Sequence, residues 1–340
     1  MSTEPLLDIR DLDVTYRGRS LLGFKGKGLR AVKGASLSIR PGETLGLVGE
    51  SGSGKSSIAN TVLGLVPAAG GSIRFGEVEL TSLQTRYPPD IRGQIQAVFQ
   101  DPYSSLNPSM TVEDIVTEPL RVHTAMTRAE RRARALELLK LVSLSEEHLQ
   151  RHPHQFSGGQ RQRIAIASAL ALTPKLIVLD EPVSALDVST QNQIINLLYE
   201  RRDALGIAYL LIAHDLALVH HISNRIAVMY LGHIVEEGPA DRVYRSPAHP
   251  YTRALLDAVP LLDPEAQRRR RATRRAAPPQ ETPRVAAQGC PYRNRCPFVM
   301  PRCEAEMPPD YPIDGGGRAA CFLFDRTAPA AQVERAPVPA

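Results

Sequence analysis

Hydrophobic residues alternate with polar ones at the start of the chain and form short continuous runs further along. Leu7, Ile9, Leu12 and Val14 are spaced as one face of a β-strand, and a second strand is predicted at 35–39. Beyond them, apolar runs alternate with helical segments, which is typical of buried parallel strands joined by crossover helices. These runs are TLGLVG, LIVLD and YLLIAH. The pattern predicts an α/β fold with an antiparallel β lead-in.

The middle of the chain has a different period. Apolar residues recur at helical spacing between positions 135 and 142, within the charged stretch 127–150. This spacing predicts an amphipathic helix between two of the strand units. We interpret the region at about 103–170 as a helical subdomain inserted into the α/β unit.

Composition changes sharply after the α/β unit, which we place at 6–260. Residues 261–288 are basic and proline-rich without an apolar period, as expected for a linker. The four cysteines of the chain follow in a short segment at 289–325. We expect the last stretch, 326–340, to be a disordered tail.

Charge and hydropathy restrict the function classes only weakly. The chain has 340 residues, 43% of them hydrophobic, and a net charge of +5. That balance suits an anionic ligand or a membrane surface and does not require nucleic acid. The first residues lack the basic start and apolar stretch of an export signal, and the apolar runs are shorter than the roughly 18–20 residues that cross a bilayer. We therefore expect a soluble protein in a reducing compartment.

A glycine-rich loop carries the strongest chemical signal. The sequence GESGSGKS at 49–56 follows the apolar run TLGLV and precedes a helical segment. In that setting glycines allow backbone N–H groups to surround a phosphate, Lys55 adds a positive charge, and the Ser56 hydroxyl binds magnesium. The predicted nucleotide contacts are Gly49, Glu50, Ser51, Gly52, Ser53, Gly54, Lys55, Ser56 and Ser57.

Two carboxylates end the later apolar run LIVLDE. After a phosphate loop, this arrangement suits Asp180 for holding Mg²⁺ and Glu181 for activating an attacking water.

A second candidate anion cradle lies at FSGGQ, directly before another helical run. It contains no lysine and no magnesium ligand, unlike the first loop. Because one nucleotide has one γ-phosphate, we infer a dimer in which the second cradle completes the partner's site. The residues of this cradle are Ser157, Gly158, Gly159 and Gln160.

Together these motifs resemble the nucleotide-binding subunits of ABC transporters, over about residues 6–325. The phosphate loop is similar to Walker A, LIVLDE to Walker B, and FSGGQ to the family signature with Phe156 in place of leucine. The resemblance implies three further roles. Tyr16 would stack on adenine, Gln100 would join the magnesium ligands and relay movement, and His214 would contact the γ-phosphate.

Longer stretches resemble the ATPase subunits of dipeptide and oligopeptide importers, and more closely the second of their two ATPase types. These stretches are VFQDPYSSLNP, RHPHQFSGGQRQRIAIASALAL and AHPYTRALL. The resemblance implies hydrolysis of ATP with Mg²⁺ to drive peptide import. It also implies a second ATPase subunit in a heterodimer or homodimer, two membrane permease subunits and an extracytoplasmic substrate-binding protein. The chain would lie peripherally on the cytoplasmic face of the inner membrane, with no nucleic acid bound.

Two alternatives remain. The same subfamily also includes importers of nickel or other small solutes, and soluble ABC proteins act in translation or DNA repair. Proteins of the latter kind commonly carry two ATPase domains, whereas this chain has one set of motifs.

The cysteines Cys290, Cys296, Cys303 and Cys321 have the spacing C-x5-C-x6-C-x17-C. Four thiolates can hold zinc or an iron–sulfur cluster, and reduced packing cysteines are the alternative. The position resembles a C-terminal segment of peptide-importer ATPases that is associated in some members with a four-iron four-sulfur cluster. Phe322 stands where that family often has histidine.

Overall fold

The structure, a computed structural model, describes residues 4–16, 28–258 and 288–326. Almost all of the predicted linker and of the predicted tail lies outside these residues. In the described ranges the strands are β1 (Leu7–Tyr16), β2 (Leu29–Ile39), β3 (Thr44–Val48), β4 (Gly70–Phe75), β5 (Val78–Glu79), β6 (Ile95–Val98), β7 (Leu176–Asp180), β8 (Ala208–Ala213), β9 (Arg225–Tyr230), β10 (His233–Pro239), β11 (Tyr311–Pro312) and β12 (Arg318–Ala319).

Twelve α-helices lie in the same described ranges. They are α1 (Lys55–Val62), α2 (Leu80–Leu83), α3 (Pro89–Gln94), α4 (Pro102–Ser105), α5 (Val112–His123), α6 (Arg128–Leu141), α7 (Gly158–Leu170), α8 (Val188–Leu205), α9 (Leu216–Ile222), α10 (Ala240–Arg245), α11 (Pro250–Ala258) and α12 (Pro301–Ala305). None of these described helices is long and apolar enough to span a membrane.

The larger sheet has the strand order β11-β12-β10-β9-β3-β8-β7-β6. Strands β9, β3, β8, β7 and β6 are parallel, and β10, β12 and β11 continue the sheet in antiparallel pairs. Strands β3 and β8 are buried at every residue, because helices cover both faces of a parallel sheet. The predicted α/β class is confirmed.

The predicted antiparallel lead-in is a separate sheet of order β2-β1-β4-β5. Leu7 pairs with Ile39 and Ile9 with Leu37 in the antiparallel register of β1 and β2. The second strand begins at Leu29, earlier than the predicted residue 35. Gly34 has a φ of 65° within β2, near register shifts in the pairing with β1. This irregularity interrupts the alternation that identifies a strand in a sequence.

The helical insert lies between β6 and β7 and contains α4 to α7. Helix α6 begins with a complete capping box between Thr127 and Glu130, and it buries Ala135, Leu138 and Leu139. Its apolar positions join those of α5 and α7 in one core cluster with the sheet. The predicted amphipathic helix is present and ends at Leu141, well before residue 150.

The cysteine-containing segment packs on the same core as the α/β unit. Strand β12 pairs with β10 through Glu236 and Ala319, which extends the large sheet. Cys290, Cys303 and Phe322 belong to the core cluster that includes β7, β8 and β9. The segment is therefore attached by both a sheet edge and an apolar contact.

Glu236 on β10 fixes the path of the chain after α10. Its side chain is fully buried and pairs with the guanidinium of Arg242. It also accepts hydrogen bonds from the backbone N–H groups of Ala248 at 2.9 Å and His249 at 2.8 Å. A buried carboxylate needs such partners. These bonds place the start of α11 beside the carboxyl ends of the parallel strands.

We predict that Glu236→Ala lowers the free energy of unfolding by about 3–5 kcal/mol, because Arg242 is left as a buried unpaired charge. Glu200→Ala, which removes a largely exposed carboxylate on α8, should change it by less than about 0.5 kcal/mol. Urea unfolding of the full chain measures both. Equal midpoints for the two variants would contradict the structural role of Glu236.

Candidate active site

Four loops meet at the carboxyl edge of the parallel sheet. The neighbouring strands β3, β8, β7 and β6 end there and continue into Gly49, His214, Glu181 and Gln100 respectively. Ligands of open α/β sheets bind at this edge, because the loops that follow the strands converge on one crevice. The structure thus brings together four site residues that are far apart in the sequence.

The loop after β3 has the backbone of an anion cradle. Gly52 and Gly54 have φ angles of 78° and 111°, which glycine adopts readily. A Cβ at Gly54 would lie 2.4 Å from the carbonyl oxygen of Ala31, and one at Gly49 would lie 2.1 Å from that of Met229. Glycine is therefore required at both positions. The loop leads directly into α1, whose N-terminal N–H groups attract a phosphate.

Lys55 is buried under this loop. Its ammonium donates hydrogen bonds to the carbonyl oxygens of Gly49 at 2.7 Å and Glu50 at 3.0 Å. Burial lowers the pKa of Lys55, and the nearby carboxylates of Glu181, Asp180 and Glu50 act in the opposite direction. A cation held by carbonyl oxygens beneath a glycine loop suits a bound polyphosphate.

Ser56 and Asp180 face each other across the site. The Ser56 hydroxyl donates to Oδ1 of Asp180 at 3.2 Å. Burial raises the pKa of the Asp180 carboxyl, and the Ser56 hydrogen bond lowers it. A hydroxyl and a carboxylate in contact form an all-oxygen donor pair, which suits Mg²⁺.

Glu181 lies between Gln100 and His214. Its Oε2 accepts a hydrogen bond from Nε2 of Gln100 at 3.1 Å and lies 3.4 Å from Nδ1 of His214. The residue has a φ of 47°, in the left-handed region that residues other than glycine seldom adopt. Its N–H donates to the carbonyl oxygen of Ile212 on β8 at 2.9 Å, which holds this conformation. Such strain is found where a side chain must be aimed.

Tyr16 ends β1 at the rim of the loop, and its ring is 38% exposed. Its hydroxyl donates to the Ser57 hydroxyl at 3.2 Å. An exposed ring fixed beside α1 is available for stacking on a base.

The second cradle is formed at the start of α7. Ser157 caps the helix, and its hydroxyl accepts a hydrogen bond from the Gln160 N–H while the Gln160 side chain accepts one from the Ser157 N–H. A Cβ on Gly159 would lie 2.4 Å from Cγ2 of Thr190, so no side chain fits there. These hydrogen bonds stay within the helix start, and none of them joins the cradle to the phosphate loop of its own chain.

Two contacts of Glu50 were not anticipated from the sequence. The Tyr251 hydroxyl accepts a hydrogen bond from the Glu50 N–H at 2.8 Å, and Nη1 of Arg295 donates to both carboxylate oxygens of Glu50. Tyr251 lies in the AHPYTRALL stretch, for which we predicted no contact with the nucleotide site. Arg295 lies between two cysteines, and no spacing in the sequence links it to the loop.

Two of the four cysteines are joined through the backbone, because the N–H of Cys290 donates a hydrogen bond to the carbonyl oxygen of Cys303 at 2.7 Å. Burial, with a smaller contribution from the neighbouring cysteines, raises the pKa of Cys296 to about 11 and that of Cys321 to about 12. Burial also raises the pKa of Cys290. Across residues 4–16, 28–258 and 288–326, however, no group of three or more His, Cys, Asp or Glu side chains is arranged to hold a metal ion. The donor set fits a thiolate-bound metal, but the arrangement of the side chains does not.

Comparison with known families gives two matches. A family described as "ABC transporter" matches residues 32–184, which include the phosphate loop, Asp180 and Glu181. A family described as "Oligopeptide/dipeptide transporter, C-terminal region" matches residues 235–303, which include Tyr251 and three of the cysteines.

Solved structures confirm the fold. The dimeric ATP-binding cassette MJ0796 in a post-hydrolysis state with ADP and Pi is 32% identical, with a TM-score of 0.60, over 69% of this chain and 98% of that chain.

Two transport ATP-binding proteins are similar to this chain in sequence. Oligopeptide transport ATP-binding protein OppF of Escherichia coli (strain K12) is 46% identical over 307 residues, covering 89% of this chain and 92% of OppF. Glutathione import ATP-binding protein GsiA of Escherichia coli O6:H1 is 52% identical over 269 residues, covering 79% of this chain and 43% of GsiA. The chain belongs to the ABC transporter family and is one of its ATP-hydrolysing subunits, with ATP and Mg²⁺ as the ligands of its site.

Proposed function

We propose that Glu181 is the general base for ATP hydrolysis in this chain. It is placed at the carboxyl edge of the sheet by a strained backbone and is touched by Gln100 and His214. From this position it accepts the proton of an attacking water, while His214 and Gln100 orient the groups around the γ-phosphate. Lys55 and the N–H groups of residues 52–57 neutralise the phosphates. Ser56, Asp180 and Gln100 would hold Mg²⁺, which would neutralise charge on the phosphate oxygens.

The site is completed by a second subunit. The cradle at Ser157 to Gln160 lies at the start of α7, and the N-terminus of a helix has backbone N–H groups without a partner inside the helix. A helix start of this kind binds phosphate oxygens from a partner's nucleotide. ATP would then join two subunits, and loss of the γ-phosphate would separate them.

We predict that Glu181→Gln lowers the rate of ATP hydrolysis by about 10²- to 10⁴-fold, because the amide cannot accept the proton. Nucleotide binding should persist, since the phosphate loop is unchanged. Hydrolysis is measured by phosphate release, and binding by titration with a fluorescent ATP analogue. Glu200→Gln is the matched control and should hydrolyse ATP at the unmodified rate.

The same variant tests the shared site. Glu181→Gln with ATP should elute as a dimer in light-scattering measurements, and the added change Ser157→Arg should return it to a monomer. Unmodified turnover in Glu181→Gln would contradict the general base, and a dimer that withstands Ser157→Arg would contradict the shared cradle.

The chain powers the import of di- or oligopeptides as the ATPase of a membrane transporter. The observation that carries this proposal is the match of residues 235–303 to the C-terminal region of oligopeptide/dipeptide transporters, together with the 46% identity to OppF. The chain would bind peripherally to two permease subunits on the cytoplasmic side, pair with a second ATPase, and depend on an extracytoplasmic binding protein for cargo.

Peptide uptake tests this assignment. Cells that lack the gene should lose uptake of labelled di- and tripeptides and regain it with the unmodified gene. Complementation with Lys55→Ala should fail, since the phosphate loop loses its buried cation. Restored nickel uptake with unchanged peptide uptake would contradict peptide transport and favour the small-solute alternative.

For the cysteine segment we propose a structural zinc or four-iron four-sulfur site at Cys290, Cys296, Cys303 and Cys321. Its support is that all four cysteines of the chain lie within residues 290–321, that the backbone N–H of Cys290 donates to the Cys303 carbonyl oxygen at 2.7 Å, and that four thiolates can hold zinc or an iron–sulfur cluster. The side chains would have to move to surround a metal, because no three or more His, Cys, Asp or Glu side chains of the described residues are arranged to hold one.

Metal analysis of anaerobically purified protein tests the site. We predict iron with sulfide and a brown colour, or stoichiometric zinc, and loss of the metal in Cys296→Ser. A colourless and metal-free protein that unfolds cooperatively would contradict metal binding and assign the thiols to packing.

A further inference from the structure

The short segment between Cys290 and Cys296 touches the phosphate loop. It forms the 3-10 helix Arg293–Arg295, and its last residue reaches Glu50, the second residue of the loop. Nη1 of Arg295 lies 3.0 Å from Oε1 and 3.1 Å from Oε2 of Glu50. The Arg295 side chain is 15% exposed and that of Glu50 37%, so the pair is screened less than a surface pair.

An aromatic cluster holds this segment in place. It consists of Tyr230, Tyr251 and Tyr292, with ring centroids 4.5–5.4 Å apart. All three residues are at most 2% exposed. Tyr230 also shares a hydrogen bond with Arg295. The position of Arg295 is therefore fixed from two sides, by the cluster and by its own segment.

The same cluster holds the backbone of Glu50. Tyr251 is fully buried, and its hydroxyl accepts the hydrogen bond from the Glu50 N–H at 2.8 Å. The ammonium of Lys55 donates a hydrogen bond to the Glu50 carbonyl oxygen at 3.0 Å. Glu50 is thus held at its N–H, its carbonyl oxygen and its carboxylate.

The negative charge of Glu50 affects the binding of nucleotide. A carboxylate in the phosphate loop repels the phosphates of an incoming nucleotide. Arg295 makes a charge-assisted pair with both oxygens of that carboxylate, which offsets its negative charge. Tyr251 keeps the backbone at Glu50 from turning.

We propose that Arg295 and Tyr251 are positioning residues for the phosphate loop, through which the cysteine-containing segment sets the affinity of this chain for nucleotide. The inference rests on the assignment of residues 49–57 as the phosphate loop. It does not depend on the transported solute or on a bound metal.

Nucleotide affinity of the full chain tests the proposal, measured by titration with a fluorescent ATP analogue and Mg²⁺. Arg295→Gln should weaken binding about fivefold, because Glu50 is left as an unpaired charge beside the phosphates. Arg295→Lys should restore most of the affinity, since the positive charge returns. Tyr251→Phe, which removes only the hydroxyl, should also weaken binding.

The matched control is Arg293→Gln. Arg293 lies two residues away in the same 3-10 helix and bonds to the carbonyl oxygens of Gln288 and Cys290 within its own segment. Its substitution should leave the affinity unchanged.

A second substitution separates positioning from a general loss of structure. In a Glu50→Gln background the repelling charge is absent, so Arg295→Gln should cost no further affinity. Equal affinities for Arg295→Gln and Arg293→Gln, or a loss that persists in the Glu50→Gln background, would overturn the proposal. Failure of the unmodified chain to bind the analogue would instead overturn the assignment of the phosphate loop.

Discussion

Parallel pairing of β3, β8, β7 and β6 is the constraint on which the site depends. Parallel strands end at the same edge of their sheet, so the loops that follow them are neighbours in space although up to 165 residues separate them in the chain, from Gly49 to His214. The phosphate loop, Glu181, Gln100 and His214 each follow one of these strands. Any change in strand order would scatter the four groups. The sheet therefore sets the relative positions of these four groups.

Local motifs in the sequence predicted much of this arrangement. The residues 49–56 and 176–181 contain their glycines, cation and carboxylates within a few positions, and strand and helix patterns flank them, so their roles follow from short-range order. Helix α6 could be predicted equally well, because its apolar residues recur at regular helical spacing. The early start of β2 was not, since Gly34 bends the strand and breaks the alternation.

Long-range contacts could not be predicted from the sequence. Arg295 and Glu50 are 245 positions apart, and nothing in the spacing of either residue reports the other. The left-handed conformation of Glu181 was also unforeseen, because it is imposed by a hydrogen bond to a neighbouring strand and not by the residue type. The exclusion of a side chain at Gly159 depends on Thr190, which lies in α8 and occupies the space that a Cβ on Gly159 would need. The cysteines and the stretch around Tyr251 stand out in the sequence, but only the fold shows that Tyr251 and Arg295, which lies between two of the cysteines, contact the phosphate loop.

The most direct test of the account is a structure of the Glu181→Gln chain with ATP and Mg²⁺. In that structure two chains should enclose two nucleotides. Each triphosphate should lie on residues 49–57 of one chain and meet Ser157 to Gln160 of the other, with residue 181, Gln100 and His214 around the γ-phosphate. A nucleotide bound away from the carboxyl edge of the sheet, or a γ-phosphate that touches no residue of a second chain, would contradict it.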